Sequence, residues 1–194
     1  MPPSHPFALF ALLSAVAACR GGPAVPPRLA EELGQAPPYT EARLWLAGDR
    51  VVGATAPLGP GTLPPAVRTT LLAVAPDGET TFTGREWGPR GEGFRIDKAY
   101  AEPTHRRSVL IAADGAVLER AHTVPIGDVP ADVLAVGAGI APRLEEAWIV
   151  SGPEREEHWT LVMRERAGET IVVQVGLDGV RLRVQRRVAA RIDV

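Results

Sequence analysis

The sequence predicts an α+β fold made of two tandem repeats, each a short helix packed on a four-stranded antiparallel sheet, with a β-hairpin leading the first. Three observations carry this. Residues 49–76 and 114–142 follow one plan: Pro64 is answered by Pro130, Val67 by Val133 and Pro76 by Pro142, each pair 66 residues apart (130 − 64, 133 − 67, 142 − 76). Each helical segment is followed by four strand-like runs. An Asp-Gly pair occupies the same joint in both halves, Asp114-Gly115 and Asp178-Gly179.

Composition fits a folded chain. Of 194 residues, 45% are hydrophobic and 23% charged, enough for real cores. The formal charge of -2 excludes a global pull toward nucleic acid or an anionic membrane surface. Nineteen prolines and 20 glycines punctuate short elements, and the core must come mostly from Val, Leu, Ile and Ala.

Residues 1–18 read as a signal peptide. The apolar run at residues 7–18 is too short to span a bilayer, and it ends in Val16-Ala17-Ala18-Cys19. That ending resembles a bacterial lipobox, which implies lipidation of Cys19 and a membrane anchor. Cys19 is the single cysteine, so no intramolecular disulfide is available to it. The alternatives are an ordinary signal peptide or a buried N-terminal helix. The n-region departs from the pattern: it has no Lys or Arg, only the terminal amine and His5. Residues 19–40 read as the lipidated cysteine and a Pro/Gly-rich tether, since they offer too little apolar surface to offset backbone ordering.

The repeats follow, at residues 41–127 and 128–194. In the leading hairpin, Leu44 and Leu46 flank Trp45, and Gly48-Asp49 turns the chain into Val51 and Val52. Trp45 reads as a ligand platform or as cover for the sheet. The first helix has Thr62 as cap, Pro64 in its first turn and Val67, Leu71 and Val74 as its apolar stripe. The second has Asp128 as cap, Pro130 in its first turn and the stripe Val133, Val136 and Ile140. Both are too short to stand alone, and Gly137 and Gly139 weaken the second, so a sheet must hold them. Strands are expected at residues 80–87, 93–100, 106–113 and 116–124, then 145–150, 158–166, 170–177 and 180–188. One face of each sheet would be covered by its helix and the other left free.

The segments LPPAVRTTLLAVAP and VPADVLAVGAGIAP, with an Asp-Gly hairpin ahead of a strand ending near Pro, resemble the PepSY-like repeats of exported bacterial proteins, which share the helix-plus-four-strand unit of the β-lactamase inhibitory protein. The resemblance covers most of residues 41–194. It implies an envelope-localised, non-catalytic module, of a kind that in some members binds or inhibits proteins. No inhibitory residues carry over.

Motifs for chemistry are sparse. His105, His122 and His158 lack metal-ligand spacing, Ser108 and Ser151 lack a nucleophile elbow, and residues 87–93 are glycine-rich but lead into no helix. Glu154, Glu156 and Glu157 read as a solvated hairpin tip. Arg106 with Arg107, and Arg186, Arg187 and Arg191, read as solvent-facing charges that protect sheet edges. The expectation is therefore a lipid-anchored envelope protein, without catalytic residues, cofactor or metal, facing the periplasm from the outer membrane. It would bind an envelope protein partner and no nucleic acid. Arg85, Trp87 and Arg90 on one hairpin are the candidate contact residues, with Trp87 either contacting the partner or capping its own sheet. The alternatives are an envelope hydrolase without a recognisable motif and a purely structural lipoprotein.

Overall fold

A computed structural model describes residues 40–59, 61–88, 91–101, 105–153, 155–166 and 168–192. Ten strands form: β1 (Thr40–Ala47), β2 (Arg50–Pro57), β3 (Glu79–Gly88), β4 (Gly91–Ala99), β5 (Arg106–Ile111), β6 (Val117–Val124), β7 (Arg143–Gly152), β8 (Arg155–Arg164), β9 (Thr170–Gly176) and β10 (Arg181–Ile192). Helix α1 (Pro65–Val74) joins β2 to β3, and α2 (Ala131–Ala138) joins β6 to β7.

The strands make one sheet that closes on itself, every neighbouring pair antiparallel. This corrects the expected fold class: the molecule is a ten-stranded antiparallel β-barrel, and two separate helix-on-sheet units do not form. The reason lies in the sheet edges. A four-stranded unit ending at β6 leaves unpaired backbone groups that the next strand can take up. β7 does so, with Ala121 opposite Val150 and Thr123 opposite Trp148. The leading hairpin then closes the ring, β2 pairing with β3 and β1 with β10.

The helices lie outside the barrel. Val67 of α1 is fully buried with Ile96, Val109 and Ile111; Val133 of α2 is fully buried with Ala147, Leu161, Met163 and Val173. The expected caps differ in detail. Thr62 donates its hydroxyl to Gly59 O, Asp128 lies in a short 3-10 turn, and Pro64 and Pro130 themselves occupy the N-cap positions. α1 has no basic residue in its last turn, and Lys98 of β4 supplies the cation instead, its Nζ donating to Ala75 O at 2.6 Å and Asp77 O at 3.0 Å. Gly137, unfavourable by propensity, lets α2 approach the barrel: a Cβ there would stand 2.9 Å from Leu161 Cδ1. A third apolar cluster, Ala42, Leu44, Leu46, Val51, Ala54, Ala56 and Trp87, gathers around β1 and β2.

Candidate ligand-binding lumen

Because side chains alternate across each strand, the face opposite the helices points into the barrel. On most strands that face is polar. It encloses a cavity of about 490 Å³, lined among others by Arg43, Trp45, Glu86, Arg95, Trp148, Thr160, Gln185 and Arg187. Small eight-stranded barrels fill with side chains or hold one small ligand, and ten strands open the interior further.

The wall formed by β3 to β6 is cross-linked. Arg95 Nε and Nη2 grip both oxygens of Glu86 at 2.9 and 2.7 Å, and Nη1 reaches Glu119 Oε1 at 2.8 Å and Ser108 Oγ at 3.2 Å. Ser108 in turn donates to Asp97 Oδ1 at 2.5 Å. Glu86 is 2% exposed, and a carboxylate so buried is tolerable only when paired. Burial alone would lower the pKa of Arg95, but the charge and hydrogen bonds of Glu86 outweigh it and hold the guanidinium above its ordinary value.

Toward solvent the lining changes. Arg106 pairs with Glu146 at 2.7 Å and lies 5.1 Å above the Trp148 ring, whose Nε1 donates to the same carboxylate at 3.0 Å. Arg164 grips Glu145 through two hydrogen bonds of 3.0 and 2.9 Å. That hydrogen bonding holds the Glu145 carboxyl below its ordinary value.

Two lining arginines are in no ion pair among the described residues. Arg43 lies 5.1 Å over the Phe82 ring, and Arg187 sits opposite Trp45 in the ladder with its Nε buried and unbonded. Gln185 Nε2 and Thr160 Oγ1 are likewise buried without hydrogen-bond partners. Burial first, and then the nearby Arg43 guanidinium, pull Arg187 below the usual arginine value against the opposing influence of Glu146, Glu86 and Asp97. Unmet donors of this kind are uncommon in folded proteins and mark where a ligand or solvent must supply acceptors.

The residues singled out from the sequence fall as follows. Trp87 is 9% exposed and belongs to the apolar cluster with Ala54 and Leu44. Arg85 lies 5.3 Å over its ring and forms an ion pair with Glu92. Cys19, Arg90 and Glu154 lie outside the described residues. Glu156, Glu157 and His122 are exposed, His158 is buried with Nδ1 3.2 Å from Glu156 O, and His105 meets Tyr100 edge-on. No group of three His, Cys, Asp or Glu that could hold a metal occurs among the described residues.

Arg106 and Arg187, expected to face solvent and guard sheet edges, instead line the cavity, because a closed barrel has no edges. Trp45 lines it as well. Glu86, Arg95 and Glu119 do not stand out in the sequence, because polar residues alternating with apolar ones look the same on a solvated face and on a lumen. Their one signal is Arg95, set between Phe94 and Ile96 in a strand whose partners carry Glu86 and Ser108.

No protein-family model and no curated protein matches the sequence. Among solved structures the chain is similar to a Bacteroides uniformis protein of the DUF2874 family, with 11% identity and a TM-score of 0.48 over 63% of this chain and 88% of that one. It is also similar to a Bacteroides eggerthii protein provisionally assigned to the periplasm, with 15% identity, a TM-score of 0.50, and coverage of 65% of this chain and 90% of that one; this second likeness is one of fold.

Proposed function

We propose that this chain is a non-catalytic binding protein of the bacterial envelope, held at the membrane by a lipid on Cys19, whose barrel lumen holds a small polar ligand. The observation that carries the reading is the cavity of about 490 Å³ with unbonded donors in its wall. That volume lies in the usual range for small-molecule sites, roughly 300 to 1,000 Å³. Envelope residence rests on residues 1–19, and the provisional periplasmic assignment of the Bacteroides eggerthii protein agrees with it. Catalysis is disfavoured by the state of the carboxylates: Glu86 and Glu119 are held by Arg95, Glu145 by Arg164, Glu146 by Arg106, and Asp97 accepts from Ser108, so each lining carboxylate already has a partner.

The test is a thermal-shift screen of the full chain against small polar compounds of either charge and none, read together with fluorescence from the lumen residues Trp45 and Trp148. A compound that stabilises the protein, changes that fluorescence and loses both effects in Thr160→Trp supports the reading. If no compound of any charge stabilises the protein, the lumen is a structural interior and the reading falls. Anchoring is tested apart from this: Cys19→Ser is expected to abolish labelling by fatty acid, and continued labelling would remove the anchor.

A further inference from the structure

Resting on the lumen as a binding cavity, the geometry points to its ligand class: a small molecule bearing a carboxylate or phosphate group, received by Arg43, Arg187 and Gln185 on the β1–β10 side of the barrel. Six arginines and five carboxylates line the cavity. Three arginines, Arg95, Arg106 and Arg164, are consumed in ion pairs with Glu86, Glu119, Glu146 and Glu145, and Asp97 is occupied by Ser108. Arg186, 46% exposed, has Glu169 at 3.7 Å. Arg43 and Arg187 are what remains.

The ladder sets these two beside each other. Trp45 opposes Arg187 and Arg43 opposes Ala189, so Arg43 and Arg187 are diagonal neighbours on one face, about 7 to 8 Å apart at their Cα atoms. Long side chains from that spacing converge on one small anion. Gln185, two residues before Arg187 on the same face and only 6% exposed, offers its Nε2 without a partner from deeper in the barrel. Two like charges held together, with the buried Gln185 Nε2 beside them, leave a space complementary to an oxyanion, because the carboxylates that act on Arg187, Glu146, Glu86 and Asp97, are already bonded to Arg106, Arg95 and Ser108; the forked guanidinium matches carboxylate and phosphate oxygens in pairs. Phe82 under Arg43 and Trp45 beside Arg187 limit the swing of the two side chains.

Calorimetric titration of the full chain with citrate and with inorganic phosphate, and with trehalose as the neutral probe, tests this. Saturable binding of citrate or phosphate is expected, and comparison of the two distinguishes a carboxylate from a phosphate ligand. Arg187→Gln and Arg43→Gln should each weaken that binding at least tenfold while keeping the wild-type circular dichroism spectrum, and Arg187→Lys should recover part of it. Arg68→Gln, on α1, should bind like wild type. Should Arg187→Gln misfold, Arg43→Gln decides alone, since Arg43 is exposed. Trehalose binding without either anion would overturn the ligand class and leave the cavity reading standing. Absence of binding by all three probes would overturn the ligand class, as would anion binding unchanged in both glutamine variants.

Discussion

The two halves of the lumen wall occupy equivalent strands yet solve opposite problems. Counted from the Asp-Gly joints, 64 residues apart (178 − 114), Ala121 of β6 corresponds to Gln185 of β10 and Thr123 to Arg187 (185 − 121, 187 − 123). In the first half the charged side chains tie one another down, and Thr123 Oγ1 accepts from Arg106 N at 2.8 Å. In the second half the corresponding positions carry Gln185 and Arg187, each with an unbonded buried nitrogen. A saturated wall confers rigidity, and an unsaturated one leaves buried donors that the proposed ligand would meet. The ladder alone does not distinguish them, because both walls are antiparallel strands of the same sheet.

Mutations break the comparison in graded steps. The largest effect belongs to neither wall but to the outer packing that supports both: Val67→Asp or Val133→Asp places an unpaired charge among apolar side chains and is expected to cost several kcal/mol, enough to unfold a domain of ordinary stability. Arg68→Asp, one residue on and exposed, should be nearly neutral. Urea denaturation of the pair checks this, and equal losses would remove the helix from the barrel wall.

Next comes the saturated wall. Arg95→Ala removes the guanidinium that neutralises Glu86 and Glu119 in the interior and should cost about 3 to 5 kcal/mol. Trp87→Ala, which empties part of the cluster around Ala54, should cost about 2 to 4 kcal/mol by the same measurement. An unchanged melting temperature in Trp87→Ala would return Trp87 to the role of a contact residue.

The unsaturated wall should answer differently. Arg187→Leu removes a desolvated donor and a like-charge neighbour of Arg43, so its stability should lie within about 1 kcal/mol of wild type and on the more stable side. A loss as large as that of Arg95→Ala would show that the two walls are equivalent after all.

The smallest effect is at the mouth. Hydrogen bonds from Arg164 lower the Glu145 carboxyl, so this pair stabilises the fold at neutral pH and ceases to as the pH falls through the lowered value. Both groups are substantially exposed, and the effect should be small and shrink with salt. A comparison of acid unfolding in wild type and Glu145→Gln checks it; a steeper loss of stability in the variant would reverse the sign.

The sequence is most informative about what each segment can form locally and least informative about edges. The hairpin about Gly48-Asp49, the two proline-led helices and the Asp-Gly joints are visible because their signals span a few residues: positive φ at Gly48, Gly115 and Gly179, and an apolar residue every third or fourth position, Val67, Leu71 and Val74 in α1 and Val133, Val136 and Ile140 at α2. Closure is not local. It depends on β1 meeting β10, where Glu41 lies opposite Arg191, 150 residues later (191 − 41). Without closure, Arg106 and Arg187 look like solvated edge charges; with it, the same residues line a cavity. The candidate site was hidden for that reason, since its side chains are ordinary for an exposed strand and unusual only inside a barrel.

The most direct test is to record side-chain NMR spectra of the arginine Nε–H and glutamine amide groups while citrate is added to the full chain. The account predicts saturable shifts at Arg43, Arg187 and Gln185, with Arg95 Nε, already bonded to Glu86, unmoved at the same concentrations. Shifts centred on Arg95, or confined to arginines outside the lumen such as Arg68 and Arg120, would contradict it.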